Sequence, residues 1–240
     1  MPTLLLVRHG RTAANAGGVL AGRTPGVDLD DTGRAQAAAL AQRMALLPLV
    51  AVLTSPLERC RQTADVVLAI GGTTKVPRPQ AVVEPRLAEC DYGDWTGKTL
   101  KALAKDPMWA VVQAHPSAAV FPGGETLRGV AARAMDAVRE HDARVAAAHG
   151  DQAVWALVSH GDVIKAIRAD ALGMHLDAFQ RIMVDPCSVS VIRYTALRPF
   201  VLRSNDTGGD LGVFVPAPRR SRRRAAPTSD APVGGGAGAG

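Results

Sequence analysis

Short apolar runs alternate along the chain with longer segments in which apolar residues recur at helical spacing. Runs at residues 3–7, 50–54 and 154–158 predict buried strands, and a shorter run at 81–83 predicts another. Near the carboxyl end, "SVSVIRY" and "FVLRS" alternate apolar and polar residues. This alternation predicts a hairpin that closes the sheet.

The segments between these runs predict helices. Residues 31–47 carry an apolar face, ended by Pro48, that comprises Ala37, Leu40, Ala41, Met44 and Leu47. Ser55 as N-cap and Pro56 in the first turn predict a second helix that continues to about Ile70. Helical signals also cover residues 97–149, with breaks near Asp106-Pro107 and at "HPSAAVFPGGE", and residues 162–172, ended by Gly173.

Buried strands separated by amphipathic helices predict a mostly parallel sheet that helices cover on both faces. The chain has 240 residues, which suffices for one sizeable α/β domain and is short for two. The longest early apolar stretch, residues 4–7, is too short for a membrane span or a signal-peptide core.

The positive charge of the chain is concentrated near its carboxyl end. The net charge is +6, but the segment from Pro218 holds five arginines against one aspartate, which leaves +2 for the rest. This Arg-, Pro- and Gly-rich tail cannot bury enough apolar surface to fold, so we expect it to be disordered. It could contact RNA, acidic lipid or an acidic partner, or serve only as a solubilising extension. For the core we expect neither a nucleic-acid nor a membrane partner.

The three cysteines, Cys60, Cys90 and Cys187, are scattered and form no CxxC pair. Their number and spacing favour a reducing compartment over a disulfide framework or a zinc site. We therefore expect a cytoplasmic protein.

Candidate chemistry collects where the predicted strands end. "LLLVRHG" and "WALVSHG" each carry an apolar run into a His-Gly pair, and "TSPLERCRQTA" sends Arg59 out from the next helix. Ligands bind beyond the carboxyl ends of parallel strands. Arg8, His9, Arg59 and His160 can therefore converge at one edge, and Asn15 lies close enough in sequence to join them.

An anion fits this cluster better than a metal ion. Buried arginines are costly unless an anion neutralises them, and they would repel a cation. Guanidinium groups pair with phosphoryl oxygens in a fork, while Gly10 and Gly161 allow close backbone approach and helix N-termini add amide donors. The chain has no GxxxxGK[ST] loop, so the phosphate site is not a P-loop.

These residues carry a family resemblance. "LVRHGRT" followed by Asn15 resembles the signature of the histidine phosphatase superfamily, the phosphoglycerate-mutase-like proteins. Five further segments are similar to the family in the same order: "AGRTPGVDLDDTGRAQA", "TSPLERCRQTA", "EPRLAECDYGDWTG", "FPGGET" and "SHGDVIKAI". The resemblance covers roughly residues 3–205. One departure is Arg11, where many relatives have Glu or Gln.

The resemblance implies a three-layer α/β/α sandwich with a mainly parallel sheet over residues 1–206, followed by a tail over residues 207–240. It implies that His9 is the nucleophile that becomes phosphorylated and that Glu89 protonates the leaving oxygen. Asp162 is a second candidate for that acid. The phosphoryl group would be bound by Arg8, Arg59, His160 and Gly161, with support from Thr12 and Asn15.

Three functions follow from this constellation. The favoured one is a phosphomonoesterase that acts on a small phosphorylated metabolite without a metal or cofactor. The second is a phosphoglycerate-type phosphomutase that uses the same phosphohistidine. The third is a non-catalytic phosphate-binding module. A homodimer would be ordinary for such a protein.

Overall fold

The computed structural model describes residues 2–71, 77–209, 212 and 215. Within them, six strands form one mixed sheet: β1 (Thr3–Arg8), β2 (Leu49–Thr54), β3 (Ala81–Val83), β4 (Val154–Ser159), β5 (Val189–Tyr194) and β6 (Pro199–Asp206). The strand order is β3-β2-β4-β1-β5-β6. The first four of these are mutually parallel, whereas β5 runs antiparallel to β1 and pairs with β6 as the predicted hairpin.

The helices are α1 (Ala13–Ala16), α2 (Asp31–Met44), α3 (Glu58–Leu68), α4 (Leu100–Leu103), α5 (Met108–Ala114), α6 (Leu127–His149) and α7 (Gly161–Ala171). Short 3₁₀ helices occur at Pro85–Leu87, Gly93–Trp95, Pro116–Ala118 and Leu176–Arg181. The predicted breaks within residues 97–149 therefore separate α4, α5 and α6. None of the described helices is both long and apolar enough to cross a membrane.

Alternation along β1 divides the core into two halves. Leu4 and Leu6 pack with residues of α6 and α7, whereas Leu5 and Val7 pack with residues of α2 and α3. Side chains that point to opposite faces of a strand require a helical layer on each side. The predicted three-layer α/β/α sandwich with a mainly parallel sheet is confirmed.

The predicted start of the second helix is wrong. The helix α3 begins at Glu58, and its N-cap residue, Leu57, makes no side-chain capping bond. Ser55 is fully buried, and its Oγ lies 2.7 Å from Nε2 of His160. The hydroxyl thus contacts a distant imidazole, and it also accepts a hydrogen bond from the Leu57 amide at 3.3 Å, just before the helix begins.

The predicted catalytic domain, residues 1–206, contains every described strand and helix. The predicted tail, residues 207–240, lies outside the described residues except for 207–209, 212 and 215.

Candidate active site

The ends of the two central strands bring the His-Gly pairs together. Arg8 at the end of β1 is in register with Ser159 at the end of β4, and the backbone amide of His9 donates to the Ser159 carbonyl at 3.0 Å. His9 and His160 follow directly, with ring centroids 5.2 Å apart in an edge-to-face arrangement. The structure thus brings both histidines to one edge of the sheet.

The imidazole of His9 is held in one tautomer. Its Nδ1 lies 2.7 Å from the carbonyl oxygen of Gly10, which can only accept, so Nδ1 carries the hydrogen and Nε2 keeps a free lone pair. Burial, followed by the charges of Arg59 and Arg8, holds the pKa of His9 well below its usual range. The ring is therefore neutral at physiological pH, with a nucleophilic nitrogen.

Two guanidinium groups flank this ring, and each has an N–H donor without a hydrogen-bond partner among the described residues. The Nη2 of Arg59 donates to the Gly22 carbonyl at 2.7 Å, and Nη1 of Arg8 donates to the Val184 carbonyl at 2.5 Å. The Nη1 of Arg59 and the Nε of Arg8 are buried without a partner among the described residues. Unpaired buried charged donors are costly, so this arrangement favours a bound anion.

The glycines after the two histidines have different surroundings. Gly161 is the first residue of α7 and lies beside the Arg8 guanidinium, where the unpaired amides of a helix N-terminus add donors for an anion. At Gly10, an added Cβ would lie 2.6 Å from the Gly33 carbonyl oxygen. Gly10 is therefore required where the end of β1 passes the start of α2.

Thr12 and Asn15 form a reciprocal cap around α1. The Oγ1 of Thr12 accepts from the Asn15 amide at 3.2 Å and donates to Asn15 Oδ1 at 3.0 Å, and Oδ1 also accepts from the Thr12 amide. Asn15 lines the cavity above His9, whereas the Thr12 hydroxyl is engaged within the turn. The cap orients Asn15 and leaves its Nδ2 as the donor open to a ligand.

Glu89 reaches the same site from the loop after β3. Its Oε1 accepts from the Cys90 amide at 2.9 Å, and its Oε2 lies 4.0 Å from Nδ1 of His160. Burial, and next the charge of Asp162, raise the pKa of Glu89 to about 7. Its carboxyl group therefore keeps its proton to a higher pH than an exposed glutamate does. Asp162, the second candidate acid, accepts a hydrogen bond from the Tyr92 hydroxyl at 2.8 Å.

Sequence reasoning missed a group of charged residues that we call the brace: Arg23, Glu125 and Arg133. Both arginines donate to the backbone carbonyl of Glu89, at 2.8 and 3.1 Å. Glu125 pairs with both of them, at 2.9 and 3.0 Å, and accepts from the Asp91 amide at 3.0 Å. The brace fixes the loop that carries Glu89. Arg23 and Glu125 both occur in quoted family segments, but their mutual contact is not readable from the sequence.

Ser55 was also missed, because its place before a proline predicts a helix cap. Because the Ser55 hydroxyl is hydrogen-bonded to Nε2 of His160, the other ring nitrogen, Nδ1, faces Glu89. The pKa of His160 is well below its usual range, owing to burial and then to Arg59 and His9. Ser55 thus helps to orient the second histidine, and the Cys60 sulfur also contacts its Nε2, at 3.4 Å.

A cavity of about 590 Å³ opens over these groups and is lined by Arg8, His9, Thr12, Asn15, Arg59, Glu89 and Gly161 among others. His160 lies beneath it, fully buried. Lys98, Lys101 and Lys105 are exposed and do not line it. This arrangement can hold a phosphoryl group before a neutral imidazole, with a protonated carboxyl group nearby.

Comparisons with known proteins agree with this chemistry. The profile of the histidine phosphatase superfamily (branch 1) matches residues 4–207. The chain is 34% identical to a glucosyl-3-phosphoglycerate phosphatase of Mycolicibacterium vanbaalenii over 178 residues, 72% of this chain and 76% of the relative. It is 31% identical to phosphoserine phosphatase 1 of Hydrogenobacter thermophilus over 215 residues, 86% and 93% of the two chains.

A probable phosphoglycerate mutase of Photorhabdus laumondii subsp. laumondii is 29% identical over 197 residues, 81% of this chain and 86% of the relative. Among solved structures, a mycobacterial glucosyl-3-phosphoglycerate phosphatase in complex with VO3 superposes with a TM-score of 0.73 at 25% identity. That match covers 85% of this chain and 98% of the other. Phosphatases and a mutase thus share this fold and sequence pattern.

Proposed function

The chain belongs to the histidine phosphatase superfamily, branch 1, and from this membership we propose that it hydrolyses a small phosphate monoester through a phosphohistidine on His9. The observation that carries the proposal is the unpaired Nη1 of Arg59 and Nε of Arg8 beside the free Nε2 of His9. A phosphoryl group supplies the anion that these donors lack, and the imidazole supplies the attacking lone pair.

In the first step, Nε2 of His9 forms a bond to phosphorus while the ester P–O bond breaks. The guanidinium groups of Arg8 and Arg59, with Asn15 Nδ2 and the α7 N-terminus at Gly161, hold the phosphoryl oxygens and stabilise their charge. Protonated Glu89 gives its proton to the departing alcohol oxygen. A pKa of about 7 suits this role, since general acids work best near the operating pH.

In the second step, water attacks the phosphohistidine. The Glu89 carboxylate accepts the proton of that water while the P–N bond breaks, which restores neutral His9 and protonated Glu89 and releases phosphate. Ser55 keeps His160 in place beneath the phosphoryl group throughout. The cycle passes through residues that the cavity already brings together and needs no resident metal.

The alternative is a mutase, which must retain the phosphohistidine while its substrate rebinds in a second orientation. Such an enzyme needs further cations to hold a substrate carboxylate in both orientations. Lys98, Lys101 and Lys105, which follow Glu89 in sequence, are exposed and lie outside the cavity lining. This favours hydrolysis.

Incubation with 3-phosphoglycerate and 2,3-bisphosphoglycerate separates the two reactions. Hydrolysis predicts phosphate release with little 2-phosphoglycerate. Isomerisation that outpaces phosphate release would make the protein a mutase. If neither these compounds nor other phosphate monoesters yield phosphate or phosphohistidine, the protein is a non-catalytic phosphate-binding module.

We further propose that residues 1–206 carry the complete site and that residues 207–240 lie outside it. Every residue with a proposed role precedes Asp206, the end of β6. Deletion from Pro218 onward should leave kcat and the melting temperature unchanged. A fall in kcat would mean that the arginine-rich tail reaches the site.

Location in the cytoplasm and a homodimeric state stay predictions. The thiols of Cys60, Cys90 and Cys187 are buried and free, which suits a reducing compartment. Cell fractionation and light scattering test these two predictions; recovery outside the cytoplasm or a monomeric mass would contradict them.

A further inference from the structure

The cavity is lined by more than the phosphate-binding groups, and the greater part of this remaining lining is apolar. This apolar lining, which we call the leaving-group subsite, comprises Leu20, Leu100, Trp109, Val112 and Ile182. At about 590 Å³ the whole cavity is of a size that holds a small organic ligand together with its phosphate. The leaving-group subsite is therefore where the alcohol portion of a phosphate ester would lie.

Packed aromatic rings hold this wall in place. The Trp95 and Trp109 rings are stacked with centroids 6.1 Å apart, and Phe121 meets Trp95 edge-on at 5.4 Å. All three residues line the cavity; Trp95 and Phe121 are buried, whereas Trp109 is half-buried. A wall fixed in this way is already arranged to receive an apolar group, which limits the entropy lost on binding.

The cations of the cavity offer little to a second anion. Besides Arg8 and Arg59, the described residues that line it include two cations, Arg11 and Lys165. Arg11 pairs with Asp30 at 2.8 Å, and Lys165 lies 3.5 Å from Asp162 while it donates to Gln180 at 3.0 Å. Both are neutralised by a carboxylate, so a substrate carboxylate would find no spare positive charge.

Two polar side chains in the cavity lining, Tyr92 and Gln180, are engaged with protein groups, whereas the exposed Gln113 amide makes no hydrogen bond among the described residues. The Tyr92 hydroxyl donates to Asp162 at 2.8 Å, and Gln180 uses both ends of its amide, to Lys165 and to the Val112 carbonyl. A sugar or glycerate body would lose its hydrogen bonds to water and find few replacements on the apolar wall.

From these observations we propose that the leaving-group subsite binds the uncharged aryl or alkyl portion of a phosphate monoester. The substrate class is thus an apolar alcohol phosphate, as distinct from a phosphorylated carboxylic acid or sugar. This proposal rests on the phosphatase activity proposed above and assigns specificity to the apolar lining of the same cavity.

The test compares substrates with the same kind of leaving group, a primary alcohol: 2-phenylethyl phosphate, ethyl phosphate, glycerol 3-phosphate and phosphoserine. Burial of a phenyl ring predicts a kcat/KM at least about 10-fold higher for 2-phenylethyl phosphate than for ethyl phosphate. Glycerol 3-phosphate and phosphoserine should be poorer still. Equal or higher kcat/KM for either polar substrate would overturn the proposed preference of the leaving-group subsite but would leave the proposed phosphatase activity standing. Absence of phosphate release from all four would instead count against the proposed function.

Two variants test whether the apolar residues of the cavity cause this substrate preference. Trp109→Ala should reduce the ratio of kcat/KM between 2-phenylethyl and ethyl phosphate by about 10-fold. If Trp109→Ala does not fold, Leu100→Arg serves as the second variant, because Leu100 lies on the cavity and is 42% exposed. An added unpaired cation should raise kcat/KM for phosphoserine relative to 2-phenylethyl phosphate.

The matched control is Leu46→Arg, at a leucine that is 76% exposed and lies outside the cavity. It adds the same charge to the protein and should leave every substrate ratio unchanged. Ratios that respond equally to Leu100→Arg and Leu46→Arg, or that stay fixed in folded Trp109→Ala, would contradict the proposal.

Discussion

Oε2 of Glu89 lies 4.0 Å from Nδ1 of His160, inside a pocket that also holds two unpaired arginine donors. A carboxyl group in such a place would be expected to ionise readily beside the cations. Burial and the nearby charge of Asp162 outweigh the arginines, so the pKa of Glu89 rises to about 7. The site thus combines a neutral nucleophile with a carboxyl group that can give up and take back a proton.

Replacement of Glu89 by glutamine should slow turnover most when the leaving group is poor. General acid catalysis contributes about 10²–10⁴-fold, and an alkyl phosphate should lose that much in kcat/KM. p-Nitrophenyl phosphate should lose far less, since nitrophenolate departs without a proton. Steady-state kinetics with both substrates checks this, and equal losses would remove Glu89 from the acid role.

The pH dependence should reveal the same proton. Because Glu89 must be protonated in the first step, kcat/KM for an alkyl phosphate should fall as pH rises above about 7. The nucleophile should impose no limit until well below pH 6.5, because the pKa of His9 is lowered from that value. In Glu89→Gln the alkaline fall should disappear. A fall of the same shape in both proteins would mean that another group titrates.

The brace should act on Glu89 through its position and charge. In Glu125→Gln, the two arginines lose their counter-charge and favour ionised Glu89, so the alkaline fall should move to lower pH. Loss of loop order should also cut kcat for an alkyl phosphate by about 10- to 10²-fold. Glu140→Gln is the matched control, because Glu140 also pairs with two arginines, Arg86 and Arg144, but neither of these donates to the Glu89 carbonyl. Identical pH profiles for wild type and Glu125→Gln would show that the brace has no part in catalysis.

Much of the site follows from rules of topology. Arg8, His9 and His160 could be placed together from the sequence because each lies at the end of a buried strand or directly after it, and parallel strands end at one edge. Ser55 could not, because the sequence offers its hydroxyl a nearby helix cap, and only the packed sheet shows that His160 competes for it. The pairing of Glu125 with Arg23 joins segments about one hundred residues apart, and no local pattern encodes it.

Divalent cations should not support activity. Arg8 and Arg59 surround the reacting phosphoryl group with fixed positive charge, which does the work that metal ions perform in kinases. Activity should therefore survive dialysis against EDTA, while vanadate and phosphate compete with substrate. Complete loss in EDTA, with recovery on addition of zinc or magnesium, would contradict this prediction.

The most direct test of the account is to detect phosphate on His9 itself. Enzyme mixed with a substrate labelled on its phosphoryl group and quenched in base should carry an acid-labile, alkali-stable label on the peptide that contains His9. His9→Ala should carry no such label and should lose at least about 10³-fold in kcat, since no other group offers the attacking nitrogen. Label on a different residue, or near-normal turnover by folded His9→Ala, would contradict the account.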